Sequence, residues 1–458
     1  MKHDPSSFQL EMKKSVTHRE YLTLAIPLII SGISTPVLGA VDTAVVGRMP
    51  EASAIGAVSV GAVIFNTMYW LLGFLRVSTT GLTSQASGAN NDKEIVLSFI
   101  RPMFVAIFIG CLFICLQFPI LQLSLYFFGA SPTIEVLTST YFSIRIWGAP
   151  FALLNYVLIG WLMGIGKVKL SLATQIYMNL VNISLDLLFV LAFGLGVAGV
   201  AYATVFAEIS TVLIGLAFVV KSKQITSISL RLSLVLQREP LIKMLIVNRD
   251  LFLRSVCLLL MTGIFTTIGA RMGEITLAAN AILLQIHYIM AYLISGFANA
   301  SSVLVGRSIG SHQLSLFKRT LSLSFLWGIG SAICLSLFMI ICGEFILLAF
   351  TSIGEVKNQA ANLMIWMAVY PIVAFWGLQL EGVFSGATEA HFIRNSIFYA
   401  LIVFLVTLWI FNWSLNPHQL WLAFHLFTLS RSLFLSLSVK SLTHLKFPLN
   451  NETARYFI

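Results

Sequence analysis

The chain has 458 residues, of which 58% are hydrophobic and 10% charged, against roughly 25% charged in an ordinary soluble domain. A soluble fold of this length needs more polar surface than 28 basic and 18 acidic residues supply, so the composition points to a membrane protein. The net charge of +10 does not indicate nucleic acid, because the basic residues fall in short loops between apolar runs and form no aromatic-interleaved surface segment.

The first 20 residues are polar and of mixed charge, without a cleavable signal pattern, so the first apolar run is the expected targeting signal. An apolar run of about 20 residues crosses the hydrocarbon core as a helix. Taken in chain order, such runs predict spans near 22–46, 55–84, 96–119, 137–163, 170–193 and 197–220. A second set follows near 248–270, 277–305, 320–349, 359–387, 393–412 and 418–439. The expected fold is therefore an all-α polytopic membrane protein of twelve transmembrane helices. Residues 1–220 form an N-terminal six-helix bundle, 221–248 a polar cytoplasmic linker, and 249–458 a C-terminal six-helix bundle with a short tail. With the N-terminus in the cytoplasm, 23 of the 28 basic residues fall on the cytoplasmic side, Arg254 and Arg431 among them. Arg48, Arg145, Arg271 and Lys357 fall outside, and Arg76 lies within the second span. This asymmetry predicts a bacterial inner-membrane protein with both termini cytoplasmic.

The two halves resemble one another. Arg48-Met49-x-Glu51 recurs as Arg271-Met272-x-Glu274, and Gly73-Phe74 as Gly296-Phe297, both at a shift of 223. Gly88 in Gln85-x-x-Gly88 recurs as Gly310 in Arg307-x-x-Gly310 at a shift of 222, and Pro150 as Pro371 at a shift of 221. Four pairs in order at nearly constant spacing indicate duplication. Six spans per half insert both halves the same way up, which relates them by a pseudo-twofold along the membrane normal with a binding cavity expected between them.

Charged residues at bilayer depth are costly and are usually functional or paired. Asp42, Asp186, Glu208, Glu381 and Arg76 fall well inside predicted spans. Counting back from the shared Arg-Met motif aligns Asp42 with Phe265, so this acid is special to the N-terminal half. In the fifth span, Asn179, Asn182 and Asp186 fall at i, i+3 and i+7 and share one helical face. Thr204 and Glu208 share a face of the sixth span, and Asn155 lies near the middle of the fourth. Such a cluster can hold a proton, since desolvation favours the protonated form of a carboxyl group, or Na⁺ through oxygen ligands. Plainer readings stand beside these. Asn182 serves equally as an interhelical hydrogen-bond residue, and Asp42 and Asp186 as buried structural acids. Glu208 either pairs with Arg76 or faces a water-filled vestibule, Glu381 is structural or gating, and Arg48 and Arg271 are interfacial anchors. Pro27 and Pro36 each remove a backbone donor from the first span and permit a bend there.

Cys111, Cys115, Cys257, Cys334 and Cys342 all lie in apolar stretches and read as small hydrophobes in helix packing. No Walker A motif, Gly-rich dinucleotide turn, His-x-x-x-His or Cys-x-x-Cys pair is present, so neither an enzyme nor a resident metal or organic cofactor is expected.

Two halves of six spans, Pro27 and Asp42 in the first, and Asn182-x-x-x-Asp186 in the fifth together resemble the multidrug and toxic compound extrusion (MATE) transporters. The C-terminal half is more specific. Leu277-Ala278-Ala279-Asn280-Ala281-Ile282-Leu283-Leu284, Gly296-Phe297-Ala298-Asn299-Ala300 and Leu304-Val305-Gly306 through Gly310 are similar to the DNA-damage-inducible protein F branch. Glu381-Gly382-Val383-Phe384-x-Gly386-Ala387-Thr388 is similar to that branch's motif in the tenth span, with Glu in place of its usual Asp. The resemblance implies proton-coupled efflux of small amphipathic or cationic molecules, with Na⁺ as the alternative ion, through a V-shaped pair of bundles acting as a monomer. By motif match it implies an ion-coupling site of Asp42, Asn182, Asp186 and Thr204, with Tyr141 and Asn155 matching less specifically. The rival reading is a lipid or lipid-linked oligosaccharide flippase of the same superfamily. Such a protein is expected to carry a strongly basic intramembrane cavity, whereas only Arg76 reads as basic at depth.

Overall fold

The computed structural model describes residues 16–47, 52–129, 131–222, 232–411 and 416–448. The side chains of residues 35–44, Pro36 and Asp42 among them, lie outside the described residues, as do Arg48, Met49 and Glu51. The N-terminal lobe comprises α1 (His18–Val46), α2 (Ala52–Leu71), α3 (Phe74–Gly88), α4 (Asp92–Cys115), α5 (Gln117–Phe128), α6 (Pro132–Arg145), α7 (Ala149–Gly164), α8 (Val168–Asp186) and α9 (Gly196–Val220). The linker contributes α10 (Leu232–Val235). The C-terminal lobe comprises α11 (Arg238–Arg271), α12 (Glu274–Gly310), α13 (Leu314–Phe350), α14 (Gly354–Gly386), α15 (Ala390–Ile410) and α16 (Pro417–Lys446).

Among the described residues, eleven helical segments from Ser53 onward are long and apolar enough to cross a bilayer, and α1 precedes them as a helix of 29 residues. Large apolar side chains such as Phe108, Ile341, Trp409 and Leu437 are exposed on their outer faces, as lipid-facing surfaces require. Cys111, Cys115 and Cys334 are exposed too, so these three lie on the outer face rather than in helix packing.

Three spans depart from simple rods. The second is broken between α2 and α3, where Leu72 and Gly73 donate to the carbonyls of Tyr69 and Trp70, three residues back. The fourth joins α6 to α7 through a 3₁₀ turn at Ile146–Gly148, because Pro150 near the start of α7 has no N–H to continue the helix. The fifth ends in a π-helical turn at Leu187–Ala192, directly after Asp186. In addition, α5 buries none of its residues and forms an apolar surface helix between the third and fourth spans.

The duplication is written into the packing. In the N-terminal lobe a Cβ at Gly160 would meet the Arg76 carbonyl, and one at Gly164 would meet Thr83 and the Thr80 carbonyl. In the C-terminal lobe the partners of Gly382 and Gly386 are the Ala298 and Ser302 carbonyls. All four residue pairs match at a shift of 222. Each is a small-xxx-small contact, the means by which helices approach closely where lipid supplies no hydrophobic drive. The turns repeat as well. Asn90, Gly166, His312 and Thr388 adopt the left-handed conformation, with φ of 50°, 81°, 56° and 57°. The following N–H of Asn91, Lys167, Gln313 and Glu389 donates to Ala86, Leu162, Ser308 and Phe384, at 2.8–3.0 Å. These are four Schellman caps, two per lobe, at one end of the molecule.

The lobes meet at that same end, α3 lying against α12 and α14 and α1 against α12. Gly88 packs on the backbone of Arg307, Gly310 on the backbone of Gln85 and Ala89, and Gly306 on Ser84. Position 84 corresponds to 306, 85 to 307 and 88 to 310, so each lobe presents the same patch to the other. This isologous contact is what a twofold axis generates. Gln85 strengthens it by donating to the Gly386 carbonyl at 2.9 Å and to the Thr388 hydroxyl at 3.1 Å.

Two buried ion-pair groups hold the lobes internally. In the N-terminal lobe the Arg145 guanidinium donates to both carboxylate oxygens of Glu208, at 2.9 and 2.7 Å, and lies 5.2 and 5.4 Å from the ring centres of Phe65 and Tyr69. Arg145 is thus an interior residue, not an external loop charge: it is 6% exposed in a segment that runs from Pro132 to Gly164, and it already falls within the span expected at 137–163. Glu208 pairs with it and not with Arg76. In the C-terminal lobe Glu381 is held between Arg254, at 2.6 Å, and Arg431. Those two arginines are therefore interior charges of α11 and α16, not cytoplasmic loop charges.

Two outcomes test this packing. Gly310→Val places a branched side chain against Gln85 and should open the lobe contact. In a background without native cysteines, maleimide labelling of Ser84→Cys should rise several-fold. Labelling that stays unchanged would contradict the contact. Glu208→Leu alone strands a buried guanidinium and should cost about 3–5 kcal/mol, whereas Arg145→Leu with Glu208→Leu should recover most of that. Thermal unfolding of the purified variants reads both.

Candidate functional site

The polar residues of the N-terminal lobe gather where α1, α7, α8 and α9 pack together. One face of α8 carries Gln175, Asn179, Asn182 and Asp186, at spacings of three and four that bring them above one another. Ser31 of α1 donates to Gln175 at 2.5 Å, and Asn179 donates to the Ser34 carbonyl at 3.4 Å, so this face is laid against the helix that carries Asp42. On the other side Asn182 donates to the Thr204 hydroxyl of α9 at 3.2 Å, and Thr204 donates to its own Val200 carbonyl at 3.0 Å. Asp186, 1% exposed, terminates α8 at the π-helical turn, an irregularity frequently found at functional sites. Tyr141, Asn182, Asp186 and Thr204 each have at least one partner.

Of the expected site residues, the structure therefore joins Asn182 to Thr204 directly and sets Asp186 one helical turn from Asn182. Asn155 of α7 belongs to an adjoining cluster. Its amide donates to the Glu208 backbone carbonyl at 3.3 Å and reaches the Met178 sulfur at 3.9 Å, which ties α7 to α9 and α8. Tyr141 of α6 packs on Gly61 of α2 and stands edge-on to Phe65 at 6.2 Å, below the Arg145 guanidinium. Pro27 is buried within α1, which continues helically through it. Beyond it Ile29 presents its backbone to Gly296 of α12, so the proline sits close to the seam between the lobes.

Glu381 lies in the other lobe, engaged by two arginines, and stands apart from the acids of α8. Arg76 is half-buried, and among the described residues its side chain makes no hydrogen bond or ion pair. Sequence reading missed the roles of Arg145, Arg254 and Arg431. Their partners lie on helices distant in the chain, and only the helical register of Glu208 and Glu381 hinted that interior cations were needed. It also missed an aromatic cluster in the C-terminal lobe. There His287 stacks edge-on against Tyr370 and Phe424 at 4.3 and 4.9 Å, and His425 bridges the carbonyls of Trp421 and Trp366 at 2.8 and 2.9 Å.

Comparison with known proteins gives this arrangement a family. The MatE family model matches the chain twice, over residues 27–188 and 251–413, which reproduces the duplication seen in the packing. The DNA damage-inducible protein F of Escherichia coli (strain K12) is 37% identical over 417 residues, covering 90% of each chain. The human multidrug and toxin extrusion protein 1 is 24% identical over 84% of this chain and 67% of its own length. A MOP superfamily transporter from Pyrococcus furiosus Vc1 shares the fold at a TM-score of 0.84 and 17% identity, over 95% of this chain and 100% of that one. By both matched halves and by its likeness to the E. coli protein, the chain belongs to the MatE family of multidrug and toxin extrusion transporters, in the branch of DNA damage-inducible protein F.

Proposed function

We propose that the protein is a secondary antiporter that expels small amphipathic molecules in exchange for protons by alternating access. The observation that carries this reading is Asp186. It is an acid, 1% exposed, buried at bilayer depth on the amide- and hydroxyl-bearing face of α8. A carboxyl group so placed is held in a low-dielectric environment, where gaining a proton removes the cost of a buried charge. Asp42, on the helix packed against α8, is the second candidate carrier, with Asn182, Thr204, Asn155 and Tyr141 as supporting groups. Glu381 is assigned a structural or gating role between its two arginines.

The direction of opening follows from charge. Lys93, Lys167, Lys169, Arg307, Lys318, Arg319 and Arg394 lie near the end where the four Schellman caps and the lobe contact are found. The excess of basic residues marks that end as cytoplasmic, so the state described is closed to the cytoplasm. In the proposed cycle a proton enters from outside, neutralises Asp186 or Asp42 and weakens the hold on substrate. The lobes then rock about the glycine contacts, the proton leaves inward, and substrate rebinds. Because proton and substrate favour different states, exchange needs no simultaneous occupancy. Protons are preferred to Na⁺ because the C-terminal half lacks a second acidic cluster: Glu381 is its deeply placed acid, and it is already paired.

Reconstituted into proteoliposomes, the protein should move a fluorescent amphipath in response to an imposed pH gradient and not to a Na⁺ gradient. Asp186→Asn should lower the pH-driven flux by about ten-fold or more and abolish its dependence on external pH. Equal flux from both proteins, insensitive to either gradient, would remove the coupling assignment.

A further inference from the structure

Four arginines lie at depth, and three of them are neutralised: Arg145 by Glu208, and Arg254 and Arg431 by sharing Glu381. Arg76 is the fourth and, among the described residues, has no such partner. It lies twelve residues from Gly88, the end of α3 at the lobe contact, and so about 18 Å along the helix axis. In a hydrocarbon core about 30 Å thick that is close to the midplane. A guanidinium at this depth persists where it faces an aqueous cavity or a ligand.

Packing does not explain why an arginine stands there. The corresponding residue of the other lobe is Ala298, whose carbonyl receives Gly382 as the Arg76 carbonyl receives Gly160. The helix contact is thus made equally well by a methyl side chain. The charge is an addition to the N-terminal half, and it comes one turn after the α2–α3 break, itself absent from the continuous α12.

Its neighbours belong to the seam. Tyr156 lies on α7 one turn before Gly160, where a Cβ would stand 2.5 Å from the Arg76 carbonyl. Its phenol is within electrostatic range of Arg76, of Tyr292 and of the paired Glu208 and Arg145. Tyr292 belongs to the other lobe. It is 38% exposed and lies on α12 where that helix passes α1, its carbonyl 3.5 Å from the place a Cβ would occupy on Gly32. One cation and two phenols thus come from three helices, α3 and α7 of one lobe and α12 of the other, and α3 packs on both α7 and α12. A guanidinium offers five N–H donors, no acceptor and a permanent charge, and a phenol adds an O–H donor. This set matches a carboxylate or sulfonate and repels a quaternary ammonium group.

We propose that Arg76, with Tyr156 and Tyr292, forms an oxyanion subsite in the transport cavity, and that the favoured substrates are amphipathic organic acids carrying a carboxylate or sulfonate head. The inference rests on the transport reading above and names the substrate class for it. In the state closed to the cytoplasm the head is held by Arg76 and Tyr156. The apolar tail lies along the lobe seam, and movement of α12 carries Tyr292 toward or away from the head.

The test uses the full-length protein in nanodiscs and two probes of equal length, 11-(dansylamino)undecanoate and its trimethylammonium counterpart. Wild type should bind the carboxylate at least about ten-fold more tightly than the ammonium. Arg76→Gln should abolish that preference by weakening the carboxylate alone. Tyr156→Phe, which keeps the ring and removes only the hydroxyl, should weaken carboxylate binding by roughly three-fold and leave the ammonium unchanged. The phenylalanine variant keeps the test open if the glutamine variant does not fold. No head-group preference in wild type, a preference for the ammonium, or equal losses for both probes would overturn the subsite. Binding needs no gradient, so head-group selectivity without pH-driven flux would sink the coupling reading alone. Flux of the ammonium probe without selectivity would sink the subsite alone.

Discussion

Backbone-to-backbone approach at a handful of glycines is the constraint on which the rest of this structure depends. In a bilayer the apolar faces of helices gain nothing by leaving lipid, so association must come from close van der Waals contact and interior polar bonds. Gly160 and Gly164 in one lobe, and Gly382 and Gly386 in the other, remove the side chains that would separate the second span from the fourth and the eighth from the tenth. The same device at Gly88, Gly306 and Gly310 then joins the lobes. The intralobe contacts tie the helices of each bundle together, and the interlobe contact joins the two bundles. This surface of small residues is joined by hydrogen bonds from Gln85 to Gly386 and Thr388 and from Tyr21 to the Phe297 carbonyl, and no buried ion pair among those described crosses it.

Charges inside the bundles follow the opposite logic. Arg145 and Glu208 meet bidentately beneath two aromatic rings, and Asn155 fixes the backbone of Glu208 from a third helix. Removing either charge leaves the other uncompensated, so this pair is a poor place for a proton to come and go. Asp186 has a different setting: amides and hydroxyls on α1, α8 and α9, and a helix end already loosened into a π-turn. On the proposed reading, coupling and stability are kept on different residues of the same lobe.

Much of this was legible in the chain. Hydropathy alone locates the twelve spans, because every one of them must satisfy its backbone internally over about 20 residues. The repeat was legible through Gly88 and Gly310, which share a register with the glutamine and arginine preceding them, and those residues prove to form the symmetric contact. The polar face of α8 was legible because three polar residues at helical spacing in an apolar run have no other reading. What escaped was every relation between spans. Arg145 looked like a loop charge because its partner Glu208 lies 63 residues away on a helix whose neighbours the sequence does not name. Arg254 and Arg431 were hidden in the same way. Their nearness to the ends of apolar runs mimicked the topological signal that the true loop charges give. Asp42, the most specific acid by motif, lies outside the described residues.

Comparison of the halves locates function more sharply than either half alone. The scaffold is conserved across the repeat: the Schellman caps, the small-xxx-small contacts and the glycines of the seam all recur. The departures fall on polar positions at depth. Asp42 faces Phe265 across the repeat, Arg76 faces Ala298, and the break at Gly73 faces an unbroken α12 in which Gly296 instead receives the backbone of α1. A duplicated fold would keep such residues in both halves if packing required them. Residues present in one half alone, Arg76 in the N-terminal lobe and Glu381 in the C-terminal lobe among them, are therefore not demanded by the shared packing. Symmetry thus accounts for the scaffold the two lobes share, and its local failures for the charges particular to one lobe.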